Sequence, residues 1–364
     1  MPSVDGPRLD PTPIRVTSEN DRSGVASRDA LPDSSSSARS DRGEALSRTR
    51  SLEVILDNPA LFMAGILLVM WAILSRLSPF FFSFDNLFEI TIQAAVIALI
   101  AVGQTFVILS GGIDLSVGSV MSAAAVVAAL AMDNDRGLIA GIAAGLLCGC
   151  AFGAANGIVI GKLGIPPFIA TLGMMGIARG FALIATGGIP VFNLAPGFES
   201  LGQGRIANFI PVPTVTTLVL YALGYLVLRR TRLGRYTYSI GSNLQATVFS
   251  GVNVPRYLIL IYMVSGLATA VAGLTEASRI GSGQPGGGVG YELDSIAAVV
   301  IGGTSLFGGE GNLFASLVGA LIIATLRNGL NVLGVYAFWQ QVVIGVILIA
   351  AVYLDRFRRR RRGE

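Results

Sequence analysis

Arg229-Arg230-Thr231-Arg232-Leu233-Gly234-Arg235 closes one apolar run, and Gly241-Ser242-Asn243-Leu244-Gln245-Ala246-Thr247-Val248-Phe249-Ser250-Gly251-Val252-Asn253-Val254 leads into the next. Short loops rich in Lys and Arg are held on the cytoplasmic side of a membrane, so these four arginines orient the chain. The stretch between Gly241 and Gly251 is compatible with a short helix. With Ala246 and Val248 exposed, it offers a small docking surface to a cytosolic partner; the plainer reading is an ordinary connecting loop.

Outward from this loop the chain is 52% hydrophobic and 13% charged, with 46 glycines and a mean hydropathy of +0.68. That combination describes an all-α polytopic membrane protein whose helices pack through small residues. The net charge of +4 reflects where arginines sit along the chain and therefore speaks to topology, not to nucleic acid. Histidine is absent, which removes both a His metal site and a His proton relay, and no cofactor is expected.

Apolar runs long enough for a bilayer of about 30 Å recur at 60–75, 87–110, 114–132, 137–161, 166–186, 212–229, 257–277, 294–307, 312–332 and 337–354. They predict about ten transmembrane helices, with eight or nine still open because the second and third runs are barely separated and the eighth is short. Basic residues orient them. With ten spans and both termini cytoplasmic, the inside holds the eight arginines of residues 1–50, Lys162, four arginines from 229 to 235, Arg256, and six from 356 to 362. The outside holds only Arg76, Arg136, Arg205 and Arg279.

Residues 1–50 mix Pro, Ser, Asp and Arg with almost no large apolar side chain, so they are expected to be a disordered cytoplasmic tail. No apolar core follows a basic start there, as a signal peptide requires. Residues 51–355 then form the transmembrane domain and 356–364 a basic C-terminal tail. Cys148 and Cys150 lie two apart in one predicted helix, pointing to nearly opposite sides, and do not pair.

Two segments break alike: Ile108-Leu109-Ser110-Gly111-Gly112-Ile113-Asp114-Leu115 through Gly118, and Val300-Ile301-Gly302-Gly303-Thr304-Ser305-Leu306 through Gly309. Each is an apolar run, a Gly pair, a small polar or acidic residue two on, Leu, and another Gly three on. Interrupted helices in matching halves point to a transporter built from an internal repeat; chance matching in so glycine-rich a chain is the alternative. Freed backbone groups at such breaks must face protein or water. Among polar residues within the runs, Asp114 suits the N-cap of the third helix or a pathway. Arg179, deep in the fifth run, needs a partner, a cavity or a route to the interface. Gln104, Asn156, Asn328 and Asn331 either bond between helices or line the pathway.

Four stretches, namely Gly103 through Gly118, Ile165-Pro166-Pro167-Phe168-Ile169-Ala170-Thr171-Leu172-Gly173, Gly241 through Val254, and Gly290 through Ser305, closely resemble the permease subunit of ribose-type sugar ABC importers. The resemblance covers essentially all of residues 55 to 355. It implies about ten helices per subunit in the bacterial inner membrane and a second permease copy, as homodimer or pseudo-dimer. It also implies a cytoplasmic ATPase and a periplasmic sugar-binding protein as partners. By that resemblance the 241–254 loop, with Gly241, Asn243, Ala246, Val248, Gly251 and Val254, is the coupling helix seated on the ATPase. The chain departs from the family pattern in its arginine-rich tail and in Ser242, where a second glycine is common.

No Gly-x-x-x-x-Gly-Lys-Ser/Thr loop is present, so nucleotide phosphates have no such cradle here and ATP is expected to be handled by another polypeptide. The rivals are a secondary transporter, with Asp114 and Glu276 as coupling site, and a channel. The glycine-rich segment from Arg279 to Asp294 lies outside in this topology. It is either a flexible linker or part of the surface receiving the binding protein, with Glu292 and Asp294 as steering charges at its rim.

Overall fold

The computed structural model describes residues 59–133 and 137–362. Its helices are α1 (Pro59–Leu77), α2 (Phe84–Leu109), α3 (Val117–Ala131), α4 (Gly137–Gly161), α5 (Pro167–Thr186), α6 (Ser200–Gln203), α7 (Val212–Arg230), α8 (Arg232–Ser242), α9 (Leu244–Phe249), α10 (Val254–Ile280), α11 (Tyr291–Ile301), α12 (Leu313–Val332) and α13 (Ala337–Arg362). One antiparallel hairpin, β1 (Arg205–Ile206) with β2 (Ile210–Pro211), interrupts them. Six helices, α2, α4, α5, α7, α10 and α12, are long and apolar enough to cross a membrane; α1, α3 and α13 carry shorter apolar stretches. The eighth apolar run was expected to extend to 307, but its helix, α11, has 11 residues and stops at Ile301. The expected tail of residues 1–50 lies outside the described residues, as does the end of the expected C-terminal tail.

At the centre stands α2, apolar on every face and buried along most of its length, as such a helix must be. Its start is fixed by Ser83, whose side chain accepts from the Asn86 N–H at 3.3 Å. Around it pack α7, α10, α11 and α12. Thr105 of α2 donates to Ser316 of α12 at 2.9 Å, and Trp71 ties α1 to α12 through Thr325 at 3.2 Å.

The tightest seam joins α4 to α10. Glycine recurs every fourth residue in α4, at Gly141, Gly145, Gly149, Gly153, Gly157 and Gly161, a stripe that winds slowly around the helix, its first two members facing α3 and the rest α10. Between helices that share no hydrophobic drive in lipid, small residues allow backbones to touch and gain dispersion contact. That is what happens here. A Cβ on Gly149 would overlap the Gly266 carbonyl, one on Gly153 the Tyr262 carbonyl, and one on Gly157 the Ile259 Cα. Large apolar side chains stand open on the outer faces, among them Leu68 at 66%, Ile139 at 84% and Ile184 at 85%, the pattern of a surface that meets lipid or other helices instead of water. Cys148 and Cys150 are free thiols, as expected.

Candidate functional site

The chain leaves α7 through Arg229 and Arg230 and turns at Thr231, whose hydroxyl accepts from the Gly234 N–H at 3.4 Å. Glycine is required at 234, where a Cβ would collide with the Leu228 backbone. The loop then forms two helices, α9 within the stretch expected between Gly241 and Gly251 and α8 before it, which was not expected. Asn243 separates them and caps α9, its Oδ1 accepting from the Ala246 N–H at 2.9 Å. After α9, Gly251 turns in the left-handed region at φ 78°, and Asn253 caps α10 by accepting from the Arg256 N–H at 3.2 Å. Successive Asx caps and a left-handed glycine thus hold a six-residue helix that would not persist alone.

Of the six candidate coupling residues, Ala246 and Val248 are exposed on α9, Asn243 and Gly251 shape the turns on either side, and Val254 is buried at 6% as the first residue of α10. The most exposed apolar side chains of α9 are Phe249 at 88%, Val248 at 52% and Leu244 at 51%. Leu244 and Phe249 escaped the sequence reading, although the spacing 244, 248, 249 is that of a helical apolar stripe. Beside α9 lies a groove of about 470 Å³ lined by Tyr236, Tyr238, Asn243, Ala246, Thr247 and Val252. Partial burial pushes the Tyr238 phenol above its ordinary range, with Arg229 pulling the other way, and its hydroxyl donates to the Gly311 carbonyl at 3.1 Å.

Gly241 is placed differently. It sits inside α8 against both chain breaks: a Cβ there would overlap the Leu109 carbonyl oxygen and approach the Gly309 nitrogen to 2.6 Å. Gly308 likewise faces Gly111 and Gly241, and the Gly309 N–H donates to the Leu109 carbonyl at 2.9 Å. The two breaks therefore meet each other and α8 backbone to backbone. Both breaks use one chain turn. Gly111 and Gly303 adopt φ 80° and 86°, and a six-residue hydrogen bond closes each helix, Gly112 N–H to Val107 at 3.0 Å and Thr304 N–H to Val299 at 3.2 Å. Matched by this turn, Gly111 aligns with Gly303, one residue off the register read from the Gly pairs.

Three candidate pathway residues, Gln104, Asp114 and Asn156, come together in the bundle, all buried to 2% or less. Asp114 is not the cap of α3, which starts at Val117. It sits in the extended link before that helix, where Oδ1 accepts from the Ser116 N–H at 3.0 Å and the Ser116 hydroxyl at 2.6 Å, and Oδ2 accepts from Ser265 at 3.1 Å. Gln104 Nε2 donates to the Asp114 carbonyl at 2.6 Å and Asn156 Nδ2 to Ser116 Oγ at 2.8 Å. Thr171 donates to the Ile113 carbonyl at 3.1 Å and accepts from Leu115 N–H at 3.2 Å. The cluster pins the link to α2, α4, α5 and α10, satisfying backbone groups that a broken helix frees.

The other candidates lie elsewhere. Arg179 is half-buried on α5, beside exposed Ile177 and Phe181, and has no ion-pair partner among the described residues. Asn328 donates to Asn86 Oδ1 at 2.8 Å, and exposed Asn331 accepts from Gln340 at 2.6 Å. Asp294 is no rim charge: it is 2% exposed and bonded to Arg327 at 2.7 Å. Glu292 turns back on its own helix start, accepting from the Gly290 N–H at 3.1 Å. Nor is the segment from Arg279 to Asp294 a free linker, since Ser282, Gly283 and Gly288 are buried, Gly283 pairs with Val191, and the Gly288 N–H donates to Ser122 at 2.8 Å. Glu276 is held by Arg279, eleven residues along α10 from Ser265, so about 16 Å of helix separates it from the Asp114 contact. The two acids imagined as an ion-coupling pair are not assembled.

Residues 86–352 match the family described as the branched-chain amino acid transport system permease component. The chain is 44% identical over 293 residues to the ribose import permease protein RbsC of Escherichia coli strain K12, an alignment covering 79% of this chain and 91% of that one. The chain belongs to the ribose-type ABC permeases. RbsC of Bacillus subtilis strain 168 is 43% identical over 80% of this chain and 90% of its own length. The D-allose transport system permease protein AlsC of E. coli strain K12 is 38% identical over 80% and 90%. No solved structure matches the chain. As a permease component it is not an enzyme; ATP hydrolysis belongs to a separate ATPase subunit, and the family implies a periplasmic sugar-binding protein. Family and apolar helices together fit a multi-pass inner-membrane protein.

Proposed function

We propose that this permease moves a ribose-like monosaccharide, delivered by a periplasmic binding protein, inward through a pair of permease copies driven by a cytoplasmic ATPase, with both termini cytoplasmic and ten helices crossing the membrane. The observation that carries the coupling part is the junction at Gly241, where the element leading into exposed α9 touches both chain breaks. A partner seated on Leu244, Val248 and Phe249 would act on α8 and through it on the two breaks. Monosaccharide specificity is supported by the relatives' names, ribose and D-allose. A second copy is supported by Arg179, since a central arginine facing lipid costs about 2.5–3.5 kcal/mol and the open face of α5 gives a partner helix access to it.

The test uses proteoliposomes holding the permease and its ATPase, supplied with binding protein and D-ribose. Uptake should stop on ATP depletion and survive proton and sodium ionophores. Ala246→Arg and Phe249→Ser should abolish uptake and loosen the ATPase while leaving insertion intact. Wild-type uptake in both variants would remove α9 from the coupling surface.

A further inference from the structure

At the end of the bundle opposite the glycine junction, α2, α10, α11, α12 and α13 enclose a cavity of about 200 Å³, well above the ~10–15 Å³ that admits one water. Arg279, Arg327 and Asp294 stand in its wall, and each arginine is paired with a carboxylate, Arg327 with Asp294 and Arg279 with Glu276, which lies behind the lining. Arg279 grips Glu276 through Nε and Nη2, both at 2.9 Å, and Arg327 Nη2 reaches the two oxygens of Asp294 at 2.8 and 2.7 Å. Tyr291 donates to Glu276 Oε1 at 3.3 Å and lines the wall, and the amides of Gln93, Asn331 and Gln340 complete it.

We propose that this cavity is a transient sugar-binding site within the permease itself, an inference that rests on the import reading above. Each cavity arginine is neutralised by its own carboxylate, Arg327 by Asp294 in the wall and Arg279 by Glu276 behind it, so the site presents no unpaired charge to an ion. An apolar solute would strand the polar groups of the wall. A neutral polyol avoids each conflict because every hydroxyl both donates and accepts, and the walls offer both: amide and guanidinium N–H groups beside amide and carboxylate oxygens. Tyr291 supplies a ring face for the C–H side of a pyranose or furanose. The arginine side chains remain 30% and 32% exposed, so the site is wet and holds its sugar weakly, as a station on a path must.

Gln93→Ala, Asn331→Ala and the double variant test this without breaking either ion pair. Each would be reconstituted with the ATPase and saturating binding protein, with D-ribose as probe, and ribose uptake would be counted per ATP hydrolysed. Loss of two hydrogen bonds predicts about a tenfold fall in that ratio for the double variant, with hydrolysis stimulated as in wild type. An unchanged ratio overturns the site, and so does a parallel fall of uptake and hydrolysis, which would place these side chains in the conformational cycle instead. If the wild-type complex shows no ATP-dependent ribose uptake, the import reading fails and this inference with it.

Discussion

Gly241→Ala adds a single methyl group at the point where α8, the end of α2 and the link before α12 touch. That methyl would overlap the Leu109 carbonyl, the same oxygen that accepts from the Gly309 N–H at 2.9 Å, and would stand 2.6 Å from that nitrogen. All three neighbours are backbone atoms, so no side chain can rotate aside, and either α8 shifts or the hydrogen bond opens. Overpacking costs about 1–3 kcal/mol and the bond about 0.5–1.5 kcal/mol. Against this, alanine gains up to about 1 kcal/mol over glycine in a helix interior. A net bias of about 1–3 kcal/mol against the arrangement in which the breaks meet corresponds to roughly 5–150-fold in population. Because α9 keeps its exposed face, ATPase docking should persist. Reconstituted complex should therefore hydrolyse ATP within twofold of wild type while sugar uptake falls at least fivefold. Gly286→Ala is the control, since a Cβ at that exposed glycine meets nothing within 4 Å. Wild-type uptake by Gly241→Ala would refute the junction as the link between docking and the breaks.

Gly153→Val should prevent α4 from seating on α10, because its Cβ overlaps the Tyr262 carbonyl, whereas Gly176→Ala, with open space around it, should be neutral or stabilising by up to about 1 kcal/mol; thermal unfolding in detergent separates the two, and equal melting would dismiss the seam. Arg327→Ala leaves the buried Asp294 carboxylate alone and should cost about 3 kcal/mol, the lower end for a broken pair because Arg327 is about one-third exposed. Asp294→Asn leaves a guanidinium that water can reach, so it should cost less in the same unfolding assay; the reverse order would mean that Asp294 is solvated.

Hydropathy located the helices because every long apolar run must be satisfied by its own backbone hydrogen bonds in lipid, a constraint written residue by residue along the chain. What it could not place was anything set by contacts between distant segments. Asp114 has the chemistry of an N-cap, and only the approach of Ser265, 151 positions away, shows it to be a pin for an extended link instead. Asp294 looked like a surface charge because its partner Arg327 lies 33 residues on, beyond a chain break. The flexible reading of the 279–294 segment failed for a related reason: glycine there permits close approach to α3 and strand-like pairing with Val191, and freedom and contact are indistinguishable in composition. Other signals were present and passed over. The fourfold glycine spacing of α4 announces its buried face, and Leu244 with Phe249 completes the apolar stripe of α9.

One helix makes these separate features parts of a single device. α10 begins at Val254, directly after the segment proposed to dock the ATPase, and its 27 residues make a rod of about 40 Å. Near its middle Ser265 holds the Asp114 link, and along the same stretch Tyr262 and Gly266 lie against the glycine stripe of α4. At its far end Arg279, held by Glu276, contributes to the wall of the polar cavity. Its only proline, Pro255, stands in the first turn, where a missing N–H breaks no intrahelical bond. With no kink to absorb it, a displacement imposed on α9 would reach the cavity as a tilt or shift of the whole rod, α4 moving with it along the seam. The breaks at Gly111 and Gly303 are then where the remaining helices yield, because left-handed glycine turns can change φ and ψ at less cost than a continuous hydrogen-bonded helix. Docking at one end and sugar contact at the other would thus be coupled by rigid-body movement of α10 and α4 against hinges at the two breaks, and the glycines that fix the seam and those that form the hinges serve opposite mechanical ends.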